Sequence, residues 1–444
     1  MQTNRKPMIE GFRRRIGGQL ERMDECAEDA RLAVFHRRDE QALSEAQAWE
    51  ALASTGLCPS LPISLSVKAC FDVAGWVTTA ASRVMEKAPP AERDAGLVTA
   101  LRRQGAVIVN QSNMTEFAFG ALGINASFGT PRSPLDPARE RTAGGSTSGG
   151  AVSVALGFAD VALGSDTSGS IRIPAAFCGL AGFKPSHHRY DRDGMLFLSP
   201  TFDIPGFIAR DVSMLQRVDA AVTGMHHPDE TLAVDGMRFL VPVQFAYADT
   251  DEEIASSFRA SLEALRAAGA TIVEKEFPEL STYGPIAVEG GIIIAEAYAW
   301  HRPYLEQSKD LYDPRVGPRI QLGADVRASA YASSLDKLAK AADAYHRRLD
   351  SFDALLTPTV PIIPPRVKDV EADESYYRFN RLTFRLTEVA NRVDAPSVTI
   401  APDPSRPVGF MTTGYRGRDA RLLAVSRAIE AVFRNTRPTA EQQP

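Results

Sequence analysis

The sequence predicts an α/β layered fold with a parallel or mixed sheet, built as one large domain. Short β-branched runs alternate with helical periodicities over most of the chain, the pattern of strands covered by helices. No low-complexity linker and no internal repeat divides it. The composition, 44% hydrophobic and 24% charged over 444 residues, supplies apolar side chains for a core of that size.

Residues 1–60 read as an N-terminal helical region, with Ala42, Ala46, Trp49 and Ala53 at helical spacing. Pro59 and Pro62 then introduce a β-branched run, Ile63 to Val67, that reads as a buried strand ending at Lys68. Ala91–Gln104 reads as a helix stopped by Gly105, and Ala106–Val109 as a short buried strand. Ser148–Leu156 is a helix of small residues, followed by a strand at Val161–Ser165. In the second half, strands are expected at Met237–Val243, Thr271–Glu274, Ala354–Thr357 and Ser397–Ile400. Helices are expected at Leu335–Asp350, Tyr376–Val393 and Ala420–Phe433. The cleanest amphipathic helix is Asp251–Ala268, with Ile254, Phe258, Leu262 and Leu265 on one face and Gly269 at its end.

Charge and cysteine usage narrow the function classes. A net charge of -5 gives no electrostatic reason to expect nucleic acid or an acidic membrane surface as partner. Cys26, Cys58, Cys70 and Cys178 form no CxxC pair, so neither a disulfide framework nor a structural zinc site is expected, and a reducing cytoplasm is the natural compartment. The first residues carry charge without an apolar run behind them, unlike a secretory signal. The longest apolar stretch, Ile292–Trp300, is interrupted by Glu296 and falls short of the ~20 residues that span a bilayer.

The informative segment runs from Gly144 to Pro185, where Gly/Ser clusters flank an apolar middle. Such clusters in a buried segment imply close backbone approach, unusual φ/ψ, or hydroxyls put to use. A packing seam of small residues is the plain alternative. Hydroxyls put to chemical use in acyl transfer require a nucleophile, a base and donors aimed at the developing oxyanion. Ser170 closes the run Asp166-Thr167-Ser168-Gly169-Ser170 after a strand and before a short helix at Ile173, where small residues let backbone N–H groups converge. None of the seven histidines has a recognisable pairing, and the adjacent pairs His187-His188 and His226-His227 are poor metal ligands. GxSxG, HExxH, Walker A and GxGxxG patterns are absent, and no cofactor or metal is expected. That leaves Lys68. Composition alone favours its snorkelling at a strand end; buried instead, it would lose part of its basicity to desolvation and become a usable general base.

Lys68 with its flanking strand, the GGSTSGG run and the GSDTSGSIRIPAAFCGLAGFKP run together resemble the amidase signature family. The resemblance extends through Asn113-Met114-Thr115-Glu116-Phe117, Phe128-Gly129-Thr130-Pro131, Ala354 to Thr359 and Gly417 to Leu423, in family order. It implies a single amidase domain over 1–444, with a signature core at 62–190 and a central mixed β-sheet flanked by helices on both faces. It further implies a Ser–cis-Ser–Lys triad in which Ser170 is the nucleophile, Ser146 the relay after a cis Gly145–Ser146 bond, and Lys68 the base. Ser148 is the rival relay, and spacing favours Ser146. The backbone N–H groups of Thr167, Ser168, Gly169 and Ser170 would receive the oxyanion, and Ala118 and Phe119 would line the acyl pocket. The sequence departs from the family in having Ser168-Gly169 where Gly-Gly is usual, and Ala69-Cys70 where Asp-Asn is common. Arg172 and Asp166 read as loop anchors, and Cys178 as a small core residue.

The implied activity is hydrolysis of a C–N bond in a small amide or ureide through a serine acyl-enzyme, with a homodimer as the implied assembly. The glutaminase-type component of a tRNA-dependent amidotransferase is the alternative within this chemistry. A non-catalytic scaffold that kept the fold is the alternative outside it.

Overall fold

The computed structural model describes residues 9–225 and 232–436. Eleven strands form one sheet: β1 (Val34–Arg37), β2 (Ser64–Lys68), β3 (Val107–Ser112), β4 (Val161–Asp166), β5 (Ala181–Lys184), β6 (Ile204–Ala209), β7 (Arg238–Pro242), β8 (Thr271–Lys275), β9 (Ala354–Pro358), β10 (Ser397–Ile400) and β11 (Phe410–Thr413). Their spatial order is β1-β3-β2-β4-β6-β5-β10-β11-β9-β7-β8. The sheet is mixed: β2 runs parallel to both β3 and β4, and β7 to β8 and β9, while the other neighbours are antiparallel.

Side chains alternate across a strand, so a sheet buried on both faces feeds two cores. In β4, Val161 and Leu163 join the largest apolar cluster, whereas Ala162 joins a second one with the helices Ser148–Ala155 and Arg172–Phe177. In β3, Ile108 enters the first cluster, and Val107 and Val109 pack under Phe12, Ile16, Leu20, Ala42 and Ala46 of the N-terminal helices. The small side chains expected to face inward in this region therefore do so, with Trp49 and Ala53 half-buried at the margin. The amphipathic helix spans Glu252–Ala267 and buries Ile254, Phe258, Leu262 and Leu265.

The structure departs from the expected elements at several places. The helix expected from Ala91 begins only at Gly96, because residues 91 and 95 give their amides to Trp76 O and Asp72 O and so pair with a neighbouring loop. The continuous helix expected over 376–393 is broken into Asp373–Phe384 and Glu388–Arg392. Strands β1, β5, β6 and β11 carry no clear local signal: β5 is built on Ala-Gly, and β6 contains Pro205 and Gly206, residues that weaken a strand pattern. The helices Val212–Thr223, Leu280–Glu289 and Ile292–Ser308 are likewise additions to the expected set. Glu296, which interrupts the apolar stretch, accepts hydrogen bonds from Ser199 Oγ at 2.5 Å and Tyr331 OH at 2.7 Å, and so ties its helix to the 199–201 loop. No helix among the described residues is long and apolar enough to cross a membrane.

Candidate active site

Parallel pairing of β2 and β4 brings the carboxyl ends of both strands to the same edge of the sheet, with Val67 opposite Leu163. This register sets Lys68 beside Ser165. Lys68 does not snorkel. It is 0% exposed, and its Nζ donates to Ser146 Oγ at 2.8 Å, Ser165 Oγ at 2.9 Å and Ser165 O at 3.3 Å. Burial lowers its pKa from the ordinary lysine value, and the acidic groups of Cys70, Asp203 and Asp166 offset this only in part.

Ser146 lies just before the helix Ser148–Ala155, in a buried segment whose Gly145–Ser146 peptide is cis. Its carbonyl accepts from Thr115 N at 3.1 Å, and Gly145 N donates to Ala121 O at 2.7 Å. The loop bearing Ala118 and Phe119 is thereby drawn against the Gly145–Ser146 pair. Both residues are buried, and Phe117 and Ala118 hold positive φ values of 46° and 62°. The rival Ser148 has a buried hydroxyl with no hydrogen-bond partner among the described residues and does not meet Lys68.

Ser170 occupies the turn between β4 and the helix Arg172–Phe177 and is 7% exposed. Thr147 N donates to Ser170 O at 3.2 Å, so the residue following Ser146 touches the backbone of Ser170. The turn itself is heavily braced. Asp166 accepts from Gly169 N at 2.7 Å, Ile171 N at 3.1 Å, Arg172 Nη2 at 2.9 Å and Arg172 Nε at 3.1 Å. Burial alone would raise the Asp166 carboxyl; the Arg172 charge and its hydrogen bonds outweigh that and hold it down to about 2. Arg172 also reaches Thr387 O at 2.8 Å and Asn391 Oδ1 at 2.7 Å, consistent with an anchoring part.

The expected oxyanion donors divide into two sets. The Gly169 amide is already committed to Asp166, whereas those of Thr167, Ser168 and Ser170 donate to no protein group among the described residues. Gly169 instead makes the turn possible. Its φ is +131°, and a Cβ there would stand 2.2 Å from Thr387 Oγ1 and 2.7 Å from Ile173 Cδ1. Gly169→Ala should therefore lower stability by about 1–3 kcal/mol and reduce turnover together with it, read by thermal melting and steady-state rates.

Four contributors have no counterpart among the expected site residues. Ser165 is the second hydroxyl on Lys68, and its position inside GSDTSGS is the one available signal. Asp203 accepts from Thr167 Oγ1 at 2.5 Å, and burial raises its carboxyl to about 6 against the donors that surround it. Thr387 Oγ1 donates to Ser168 O at 2.5 Å, and Arg392 Nη2 donates to Ser168 Oγ at 2.8 Å. Thr387 and Arg392 come from the broken helix, far along the chain, and nothing in their local sequence marks them. Of the histidine pairs, His187 and His188 contact each other at 3.4 Å in a turn, and the pair at 226 and 227 lies outside the described residues. Among the described residues no group of three His, Cys, Asp or Glu side chains is placed to hold a metal ion.

Comparison with known proteins gives a consistent result. The profile of the family described as Amidase matches residues 20–423. The chain is 34% identical over 438 residues to the 2-amino-5-chloromuconic acid deaminase of Comamonas testosteroni, covering 95% of this chain and 94% of that protein. It is 30% identical over 407 residues to the A subunit of the glutamyl-tRNA(Gln) amidotransferase of Methanospirillum hungatei JF-1, covering 84% and 93% respectively. A crystal structure described as an amidase superposes with a TM-score of 0.85 at 30% identity, covering 96% of this chain and 98% of that one.

Proposed function

This chain belongs to the amidase signature family, and on that premise we propose that it hydrolyses a C–N bond of a small amide or ureide through an acyl-enzyme on Ser170. The observation that carries the reading is the contact of a fully buried Lys68 Nζ with Ser146 Oγ at 2.8 Å, beside the turn that holds Ser170.

In this reading neutral Lys68 accepts a proton from Ser146 as Ser146 takes one from Ser170, and Ser170 Oγ attacks the substrate carbonyl. The amides of Thr167, Ser168 and Ser170 are free to receive the oxyanion. Collapse of the tetrahedral intermediate breaks the C–N bond. The leaving nitrogen takes its proton from Ser146, which recovers one from Lys68. Water then enters by the same relay and releases the acid. The loop with Ala118 and Phe119, drawn against Ser146, forms a wall of the acyl pocket.

The test is covalent. A fluorophosphonate should add its phosphorus to Ser170 alone, located by mass spectrometry of the peptide and lost in Ser170→Ala. A panel of amides, ureides, carbamates and esters should show turnover that the reagent abolishes. Absence of labelling at Ser170 alongside measurable turnover would refute the assignment. The amidotransferase relatives favour a second reading, a glutaminase feeding ammonia to a partner. Preference for glutamine in the panel, together with copurification of a partner protein, would select it.

A further inference from the structure

We propose that Arg392 is a positioning residue for the oxyanion turn, gripping it from behind so that the Ser168 N–H is turned and polarised toward the developing charge; this rests on the amidase reading above. Arg392 is 6% exposed. Its Nη1 donates to Thr167 O at 3.2 Å and its Nη2 to Ser168 Oγ at 2.8 Å. Both acceptors belong to the turn immediately before the nucleophile. The guanidinium lies 4.2 Å over the ring of Phe202, and the neighbouring Asn391 Nδ2 donates to Asp166 O at 2.8 Å. Two consecutive residues of one short helix thus hold two consecutive carbonyls of the turn.

The physical consequence follows from the planar peptide. Thr167 C=O and Ser168 N–H are opposite ends of one trans unit, so a cation that fixes the oxygen outward fixes the hydrogen on the other side. A hydrogen bond to the oxygen also polarises the N–H and strengthens its donation, an effect that grows in a low-dielectric interior. The Ser168 amide has no protein acceptor among the described residues, which leaves it available to the substrate oxygen. Thr387 Oγ1 bonds the next carbonyl, Ser168 O, in the same way, but the N–H it polarises is that of Gly169, already bound to Asp166. Arg392 is therefore the brace that acts on an uncommitted donor.

Glu388 compensates this charge only loosely. Its Oε2 stands 3.3 Å from Arg392 Nη2, closing a single monodentate contact across one helical turn, and Arg392 Nε is buried without a partner among the described residues. A planar fork is suited to bridging a carbonyl and a hydroxyl at once; an ammonium is a point donor and holds one of them well. The hydroxyl at 168, where glycine is usual in the family, is thus the second half of the grip.

The decisive measurements use the full chain with Arg392→Met, Arg392→Lys and Ser168→Gly. Arg392→Met should lower kcat for an amide found in the panel about 10- to 100-fold, below the full loss of an oxyanion donor, with KM changed less than about threefold. The rate of fluorophosphonate addition to Ser170, which builds negative charge on oxygen at the same place, should fall in parallel. Added methylguanidine should restore part of both rates in Arg392→Met. Arg392→Lys should lie between, and Ser168→Gly should cost only a few-fold because the Thr167 contact remains. Rates within twofold of wild type in Arg392→Met, or a loss carried entirely by KM, overturn the proposal. If Arg392→Met gives no cooperative melt, Arg392→Lys is read by the same two rates. Failure of the wild type itself to label at Ser170 sinks the amidase reading, whereas wild-type labelling with an indifferent Arg392 sinks only this inference.

Discussion

Lys68→Ala is expected to lose amide hydrolysis by about 10⁴-fold or more, because in the proposed mechanism one side chain supplies both the base for Ser170 and, through Ser146, the acid for the leaving nitrogen. An amide anion is a very poor leaving group, so the proton returned through Ser146 is as necessary as the one removed. An activated ester needs no such proton. The same variant should therefore lose considerably less esterase activity than amidase activity, measured on a matched ester and amide sharing one acyl group. The pH dependence provides a further check. Burial lowers the Lys68 pKa below its ordinary value of 10.5, so the neutral, proton-accepting form prevails to lower pH than for an exposed lysine. The wild-type kcat/KM should rise with pH and level off once Lys68 is deprotonated, at a midpoint below 10.5. That limb should disappear from the residual rate of Lys68→Ala. Amide turnover near the wild-type level in this variant would be incompatible with the mechanism.

Arg172→Met is expected to cost about 3–5 kcal/mol of stability, since it leaves the Asp166 carboxylate in the interior without its counter-ion. Both partners of this pair are 0% exposed. The double variant Asp166→Asn, Arg172→Met should recover part of the loss, because it removes the stranded charge, and the two changes should be far from additive in urea denaturation. The acid limit follows from the same pair. Asp166 is held to about 2 in the fold, below the ~3.9 of an unfolded chain, so its contribution is present above pH ~4 and is lost as pH falls toward 2. An unchanged denaturation midpoint in Arg172→Met would mean that the turn is held by its backbone contacts alone.

Much of the scaffold is legible in the sequence because its signals are local. Period-two runs such as Ile63 to Val67 and the periodic face of Ile254, Phe258, Leu262 and Leu265 depend on the nearest residues. The strands β5 and β6 escape such a reading because the chain there carries Ala181-Gly182 and Pro205-Gly206, and pairing with neighbours on either side overrides a weak local preference. The helix breaks between Phe384 and Glu388, where Thr387 O accepts from Arg172, and Asn391 of the second piece holds Asp166 O. The site divides in the same way. Lys68, Ser146 and Ser170 stand in motifs whose family resemblance marks them as candidates, whereas Thr387, Asn391 and Arg392 are invisible among ordinary helical residues.

The sequence by itself determined the layered architecture and the family, and through that resemblance it offered one lysine and two serines as candidates. It could not determine whether that lysine faces water. Only the tertiary structure decided this, because the parallel register of β2 against β4 delivers the amine to Ser165 and Ser146 inside the core, and a register is set by partners remote in the chain. Which backbone amides of the turn find a protein acceptor was decided the same way, by Asp166 claiming that of Gly169, and Arg392 reaches back across the fold to bond Thr167 O and Ser168 Oγ.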